Sequence, residues 1–141
     1  MKRTISCLCL IAVCWLASCK TEKLVAPAES MKTITGTWKI KQATRNGTDL
    51  TSRFNFSAFA ITFSDSAYTI SNPVPFIVNK NGTWQFDDPS YPFKMSFTAT
   101  DSTAKTTGLL YPVTNGQRNI VISFSPGCEL NTYQYTLQKI D

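Results

Sequence analysis

The side chains that could carry out chemistry are few, and the sequence contains no histidine. Without imidazole the chain cannot form a Ser-His-Asp or Cys-His catalytic arrangement, a zinc site that needs a histidine ligand, or a histidine pH switch. The one pair of adjacent carboxylates is Asp87 and Asp88. Neighbouring residues in a strand point to opposite faces, so this pair cannot flank one bond as glycosidase carboxylates must.

The other acidic residues give no sign of a reactive centre either. Asp65, Asp101 and Glu129 are isolated and stand in predicted turns, where carboxylates commonly bond to nearby backbone. No loop shows the alternating oxygen ligands of a calcium site. We therefore expect no catalytic residue, no metal ion and no cofactor, and we predict that the protein is not an enzyme. A carbohydrate- or lipid-processing enzyme of the cell envelope is the alternative.

The first nineteen residues have the organisation of an export signal rather than of a folded domain. Two basic residues precede a mostly apolar segment, 5–16, which at 12 residues is too short to cross a bilayer as a helix. Residues 16–19, Leu-Ala-Ser-Cys, resemble the lipobox of bacterial lipoproteins. We predict a signal peptide over residues 1–18 and acyl chains, palmitate among them, on Cys19. An ordinary secretory signal or a true transmembrane anchor is the alternative.

Cleavage before Cys19 leaves a tether over residues 19–33 and a β domain over residues 34–141. The residue after the cysteine is Lys20 rather than Asp, so the usual retention signal for the inner membrane is missing. The outer membrane is therefore the favoured location, with its leaflet left open. The expected membrane contact is made by the acyl chains, in which each buried CH₂ contributes about 0.8 kcal/mol.

Charge and the remaining cysteines limit the other partners. The formal net charge is +5, and it falls to +3 when the two basic residues of the signal are removed. The basic residues form no run, so nucleic acid is not an expected partner. Cys128 would be the single thiol left beside the lipidated cysteine, which excludes an internal disulfide. We interpret Cys128 as a small, partly buried residue, with a reactive or dimer-forming thiol as the alternative.

From residue 34 onward the apolar residues alternate with polar ones, which is typical of half-buried antiparallel strands. Aromatic and β-branched residues are frequent, and no segment of ten residues shows a helical period. Asn81-Gly82 and Asn115-Gly116 are expected hairpin turns. We predict an all-β domain, a small eight-stranded antiparallel barrel, with a two-sheet β-sandwich as the alternative. The predicted strands are 34–41, 59–64, 68–70, 83–87, 94–100, 106–113, 118–125 and 132–140.

Aromatic side chains on the inward faces of these strands are the candidate core or ligand-lining residues. Gly36-Thr37-Trp38 and Gly82-Thr83-Trp84 repeat one short motif, in which glycine permits close backbone approach and tryptophan fills one end of the core. If the whole inward set fills the interior, little cavity remains, because eight strands enclose room for side chains or for one small ligand. The inward set is Trp38, Phe63, Trp84, Phe86, Phe97, Phe124 and Tyr135.

Two non-enzymatic roles are open at this point. The barrel could bind a small apolar ligand, or its loops and outer face could contact another envelope protein. Phe54, Phe56, Phe76 and the segment 91–93 place aromatic residues in predicted loops. These side chains are either exposed for an interaction or folded over the mouth of the barrel.

The opening of the first strand, Gly36 followed by Trp38 in an eight-stranded chain, resembles the lipocalin signature. More narrowly, the chain is similar to a lipocalin-like family of uncharacterised lipoproteins of Bacteroidota. That resemblance implies a barrel over about residues 34–140 and no known catalytic residue. The late arginine that lipocalins pack over the tryptophan has no clear counterpart here, since Arg118 is the only late arginine; this departure counts against classical lipocalin ligand transport. The other matching segments are Ile61-Thr62-Phe63, Phe86-Asp87-Asp88, 124–128 and 133–137.

Two short segments are similar to the O-glycosylation site of Bacteroidota, which is Asp, then Ser or Thr, then a small or apolar residue. They are centred on Ser66 and Ser102, and both stand in predicted turns, where a glycan would face solvent. These two serines are the candidate modification sites.

Overall fold

Ten antiparallel strands form one sheet that closes on itself in the computed structural model, which describes residues 32–127 and 130–140. The last strand pairs with both the first strand and the strand before it, which closes a barrel of eight long strands. The predicted all-β antiparallel barrel is confirmed, and it fits a lipocalin-like fold. The strands are β1 (Gly36–Arg45), β2 (Thr48–Asp49), β3 (Ala60–Phe63), β4 (Ala67–Ser71), β5 (Gly82–Phe86), β6 (Lys94–Ala99), β7 (Lys105–Leu110), β8 (Val113–Thr114), β9 (Gln117–Phe124) and β10 (Tyr133–Ile140).

Strand β1 is longer than the prediction, which ended it at residue 41. A β-bulge between Ile40 and Gln42 shifts the register against β10. The extra residue moves the inward-facing positions from even to odd residue numbers. Trp38 faces inward before the bulge, and Ala43 is fully buried after it. The strand then ends in a tight turn at Asn46 and Gly47, with φ of 49° and 79°. This Asn-Gly hairpin signal was not used in the prediction.

Glycine is required at both positions of the repeated motif, at Gly82 by the close approach of backbone and at Gly36 by the positive φ. At Gly82 a Cβ would stand 2.0 Å from the Thr98 carbonyl oxygen, so no side chain fits there. At Gly36, where φ is +123°, a Cβ would stand 2.4 Å from the Lys139 side chain. The predicted hairpin at Asn81-Gly82 is wrong, because Gly82 is the first residue of β5 and packs against β6. The hairpin at Asn115-Gly116 is confirmed, with φ of 53° and 76°.

Strand β7 ends before the predicted residue 113. Pro112 stands outside the strand, and its carbonyl oxygen accepts a hydrogen bond from the Asn119 amide at 2.9 Å. Proline has no N–H to donate to a ladder, which explains why pairing stops here.

The pairing of β4 with β5 is short, at two residue pairs, Ala67 with Thr83 and Tyr68 with Gly82. The neighbouring pairs β3–β4 and β5–β6 have four and five pairs. The connection between β4 and β5, residues 72–81, turns into the barrel, where Ile77 and Val78 are buried. Consequently one loop supplies part of the core, next to the narrowest pairing of the barrel wall.

Because consecutive strands are antiparallel, the connections alternate between the two ends of the barrel. We call the end formed by residues 32–35, 64–66, 87–93 and 111–116 the amino-terminal end. We call the opposite end the mouth; it is formed by the connections 46–59, 72–81, 100–104 and 125–132.

At the amino-terminal end the aromatic core residues come from strands, and Ile34 and Pro92 of the connections are also buried. Trp38 is 3% exposed, and its indole Nε1–H donates to the Ile34 carbonyl oxygen at 2.7 Å. The Trp84 indole donates likewise to the Ser64 carbonyl oxygen at 3.0 Å. Both tryptophans of the repeated motif therefore satisfy their polar group on backbone at this end.

Candidate functional site

The predicted inward aromatic residues do lie in the barrel interior, but they do not line one common cavity. Trp38, Phe63, Phe97 and Tyr135 are buried, whereas the other three are half-buried. The half-buried residues are divided between the two ends. Trp84 and Phe86 lie near the amino-terminal end, with ring centroids 4.9 Å apart, and Phe124 lies toward the mouth.

The centre of the barrel toward the mouth is filled by Phe76, a loop residue. Its ring stacks on Tyr135, with centroids 5.8 Å apart and an interplanar angle of 8°. It also meets Phe59 at 5.3 Å, Phe97 at 6.0 Å and Phe124 at 5.9 Å. Phe76 therefore occupies the place that a ligand of the barrel interior would take, and we call this side chain the plug.

Above this plug, the mouth carries a cavity of about 510 Å³, which we call the mouth pocket. Loops and the mouth ends of β1 and β10 form its wall. The cavity volume falls within the range of small-molecule sites, about 300–1,000 Å³. Its lining residues are Arg45, Leu50, Arg53, Phe54, Asn55, Phe56, Pro73, Val74, Pro75, Tyr133 and Tyr135.

The mouth pocket combines an apolar floor with two guanidinium groups. Arg45 lies over the Tyr133 ring, 5.7 Å from its centroid, and its Nε–H donates to the Asn131 side chain. Arg53 is exposed on the loop that follows β2. None of the described residues that line the pocket is a carboxylate. Positive charge beside aromatic and proline surface suits an anion with an apolar body.

The buried side chain of Tyr135 lines the mouth pocket and fixes the position of the loop beside it. The Tyr135 hydroxyl donates to the Pro75 carbonyl oxygen, and this hydrogen bond ties the connection 72–81, which carries the plug, to β10. Burial, with a smaller contribution from Tyr133, raises the pKa of Tyr135 to about 12. Burial also raises the pKa of Tyr68, whose hydroxyl has no hydrogen-bond partner among the described residues. Both phenols therefore stay protonated at neutral pH.

The comparison with known proteins gives one family. A family described as "Domain of unknown function (DUF5004)" matches residues 17–138. The chain belongs to this family. No curated protein and no solved structure matches the DUF5004 chain. The matched range begins just before Cys19 and continues through nearly all of the barrel, so the mouth pocket is part of the DUF5004 domain.

The acidic pair of this DUF5004 protein organises a loop. Asp87 Oδ1 accepts the backbone N–H groups of Phe93 and Lys94, both at 3.0 Å. Asp88 Oδ1 accepts those of Ser90 at 2.7 Å and Tyr91 at 2.9 Å. The hydrogen bond from Lys94 is the largest of the effects that hold the pKa of Asp87 below its usual value. Each carboxylate is thus used by the connection 87–93.

The other predicted sites are distributed over the molecule. Ser66 and Ser102 are exposed, in connections at opposite ends of the barrel. Cys19, the signal peptide, the tether up to residue 31 and Cys128 lie outside the described residues. Arg118 lies over the Tyr111 ring at 5.6 Å rather than over Trp38.

The described residues, 32–127 and 130–140, include no helix long and apolar enough to cross a membrane. Within the same ranges, no three or more of His, Cys, Asp and Glu come together where a metal ion could be held.

The sequence analysis missed the residues that give the mouth pocket its charge. The alternation of apolar residues predicts the end of β1 at residue 41 and a loop after it, so it indicates no role for Arg45 or Arg53. The unused Asn46-Gly47 signal would have extended β1 to Arg45 and placed it at the mouth.

Proposed function

We propose that this DUF5004 protein is an exported lipoprotein of the outer membrane, anchored through acyl chains on Cys19. We further propose that its barrel binds a small anion with an apolar or aromatic body at the mouth, without catalysing a reaction. The mouth pocket, which has two arginines and, among the described residues that line it, no carboxylate, is the observation that carries the binding role.

Shape and charge favour the mouth over the barrel interior as the binding place. Phe76 fills the interior against four aromatic rings, so a ligand there would have to displace it. The mouth pocket needs no such movement. Its apolar surface comes from Leu50, Phe54 and the Pro73–Pro75 segment, and burying such surface is the main source of affinity for small ligands.

The arginines supply the preference for an anion. A guanidinium offers a planar set of donors that matches carboxylate, sulfonate or phosphate groups. Arg45 is held in place by its contacts with Tyr133 and Asn131, so part of the ordering entropy is lost before a ligand binds. Arg53 is exposed and can swing toward the anionic group.

Two fluorescent probes with the same aromatic body test this role. Anilinonaphthalene sulfonate carries an anionic group, and phenylnaphthylamine lacks it. We expect Arg45→Gln and Arg53→Gln each to weaken binding of the sulfonate by about tenfold, the usual value of a charge-assisted hydrogen bond. Binding of the neutral probe should change little.

Arg118→Gln is the matched control, because it removes an arginine that also lies over a tyrosine ring, at the opposite end of the barrel. It should leave sulfonate binding at the mouth unchanged. Equal losses in all three variants, or equal effects on the two probes, would contradict an anion site at the mouth.

The anchoring is tested on the chain isolated from membranes of its own cells. The intact mass should equal residues 19–141 plus acyl chains, and Cys19→Ala should prevent both cleavage before residue 19 and acylation. The same spectrum shows whether Ser66 or Ser102 carries a glycan, since peptide plus lipid alone would exclude that modification. An organic extract of the sample would identify a ligand that remains bound.

A further inference from the structure

Large apolar side chains are exposed at the amino-terminal end of the barrel, away from the mouth pocket. Tyr91 is 55% exposed and Phe93 is 69% exposed, both in the connection 87–93. Leu110, the last residue of β7, is 60% exposed. The Leu109 amide donates to the Phe93 carbonyl oxygen at 2.9 Å, which holds these two segments together. The exposed apolar surface is thus carried by ordered backbone.

Basic side chains accompany this surface. Lys94 is exposed directly after Phe93, and Arg118 lies over the Tyr111 ring. A shallow cavity of about 200 Å³ brings Lys32, Tyr111 and Arg118 together beside Pro92, the residue between the two exposed aromatics.

Among the residues that the structure describes, the acidic groups of this end are Asp65, Asp87 and Asp88. The last two are turned into their own loop, where each accepts two backbone N–H groups. Asp65 stands apart, in the connection between β3 and β4. The side chains of Lys94 and Arg118 are exposed beside these aromatic residues.

The chain enters the barrel at the same end. The Lys32 amide donates to the Pro89 carbonyl oxygen at 2.8 Å, so the entering segment lies against the connection that carries Tyr91 and Phe93. Cys19 precedes Lys32 by 13 residues. Thirteen residues span at most about 45 Å when extended. A lipid anchor on Cys19 would therefore hold this end of the barrel within about 45 Å of the bilayer.

We propose that the amino-terminal end is a membrane-docking surface, on which Tyr91 and Phe93 enter the interfacial region of the bilayer while Lys94 and Arg118 face anionic headgroups. Aromatic side chains favour that region, and each basic residue near an anionic surface adds to the attraction. The consequence is an orientation, because docking this end points the mouth pocket away from the membrane. The orientation rests on the proposed anchoring, but the surface itself can be tested without it.

The test uses the mature chain, residues 19–141, with Cys19→Ser so that no acyl chain contributes. Its partition onto vesicles of phosphatidylcholine, with and without phosphatidylglycerol, is measured by sedimentation. We expect binding that increases with phosphatidylglycerol. Phe93→Ser should reduce the partition coefficient about tenfold on both kinds of vesicle, because a large apolar side chain is lost from the interface.

The arginine separates charge from insertion. Arg118→Gln should reduce binding about fivefold on vesicles with phosphatidylglycerol and leave binding to phosphatidylcholine unchanged. If it reduced binding equally on both, the charge contribution assigned to this residue would be wrong.

Leu110→Ser and Leu130→Ser provide the matched pair, since they make the same change at opposite ends. Leu130 is 85% exposed near the mouth and lines no part of the mouth pocket. Leu110→Ser should weaken binding and Leu130→Ser should not, with melting temperatures showing that both variants stay folded. No vesicle binding by the parent chain, or equal losses in this pair, would overturn the docking surface. Either result leaves the probe experiment at the mouth unaffected, so the two proposals fail separately.

Discussion

The two ends of the barrel bury aromatic side chains by different means. At the amino-terminal end the strands supply them, and two tryptophan indoles each donate to a backbone carbonyl oxygen. At the mouth a loop residue, Phe76, supplies the central ring. The Tyr135 hydroxyl bonds to the middle of that loop, and further hydrogen bonds hold its two ends at Asn72 and Asn81. Strand residues cannot leave without breaking the sheet, whereas a loop can rearrange. The mouth is therefore where a pocket can exist and change.

The largest expected difference between the ends comes from removing one ring from each. Trp38→Ala should destabilise the protein by about 3–5 kcal/mol, since it leaves a large cavity and an unpaired Ile34 carbonyl. Phe76→Ala should cost about 1–3 kcal/mol, because the side chain is only half-buried and its loop can collapse. Urea unfolding at neutral pH measures both values.

A second readout distinguishes a plug from an ordinary core residue. Phe76→Ala should bind phenylnaphthylamine more tightly than the parent chain, because it opens the space between Phe59, Phe97 and Tyr135. Trp38→Ala should show no such gain while it is folded. Equal losses of stability without a gain in probe binding would mean that Phe76 does not act as a plug.

The next largest loss of stability is expected at Gly82, which belongs to the short β4–β5 pairing. Gly82→Ala should destabilise by about 1–3 kcal/mol or more, since a Cβ there would stand 2.0 Å from a backbone oxygen. Gly108→Ala is the matched control in β7, where a Cβ would meet nothing within 4 Å. That variant should change the free energy of unfolding by no more than about 0.5 kcal/mol. A similar loss in both variants would show that close approach is not the reason for Gly82.

The difference between strand residues and loop residues also explains which parts of the structure could be predicted from the sequence. Alternation of apolar residues located the eight long strands, because a strand that faces a core on one side must repeat every two residues. Trp38, Phe97 and Tyr135 were identified as inward residues for that reason. The bulge after Ile40 could not be read in this way, since it changes the inward parity within one strand.

The candidate site was much less predictable. Phe76 lies in a loop with no period, and its burial depends on a cavity that other segments create. The arginines of the mouth pocket are brought together by the β1 extension and the loop after β2. Tertiary geometry of this kind has no local signal apart from the Asn46-Gly47 turn.

Alkaline pH should loosen the mouth in a measurable way. The pKa of Tyr135 is raised to about 12 in the folded protein, against 10.0 for an ordinary tyrosine. A phenol that is harder to ionise when folded stabilises the protein below pH 10, and that contribution is lost as the pH rises from about 10 toward 12. Stability should therefore fall over this window, with Tyr68 acting in the same direction.

Tyr135→Phe isolates the contribution of this hydroxyl. At neutral pH it should cost about 1 kcal/mol for the lost hydrogen bond to Pro75. Its unfolding free energy should then depend less on pH between 10 and 12 than that of the parent chain. Hydrogen exchange of the Phe76–Val78 amides should become faster. If the unfolding free energy of Tyr135→Phe fell with pH between 10 and 12 as steeply as that of the parent chain, Tyr135 would not be the titrating group.

The smallest effect concerns acid pH and the loop at the amino-terminal end. Backbone hydrogen bonds, that from Lys94 first, hold the pKa of Asp87 below its usual 3.8. The stability that this carboxylate contributes is present above pH 3.8 and is lost as the pH falls through the lower, folded value. Asp87→Asn keeps an acceptor oxygen but removes the charge. Its unfolding free energy should be slightly lower than that of the parent at neutral pH, and the two should converge as the pH falls through the lowered, folded pKa of Asp87.

Asp49→Asn supplies the comparison at the other end, because hydrogen bonds from Thr51, and a smaller one from Gln42, also lower the pKa of Asp49. In both variants the free energy of unfolding should depend less on pH in the acid range. Only Asp87→Asn should accelerate hydrogen exchange of the Phe93 and Lys94 amides. If the docking surface depends on the order of that loop, Asp87→Asn should also weaken vesicle binding more than Asp49→Asn does. An equal effect on vesicles would mean that the aromatic side chains bind without help from the loop that presents them.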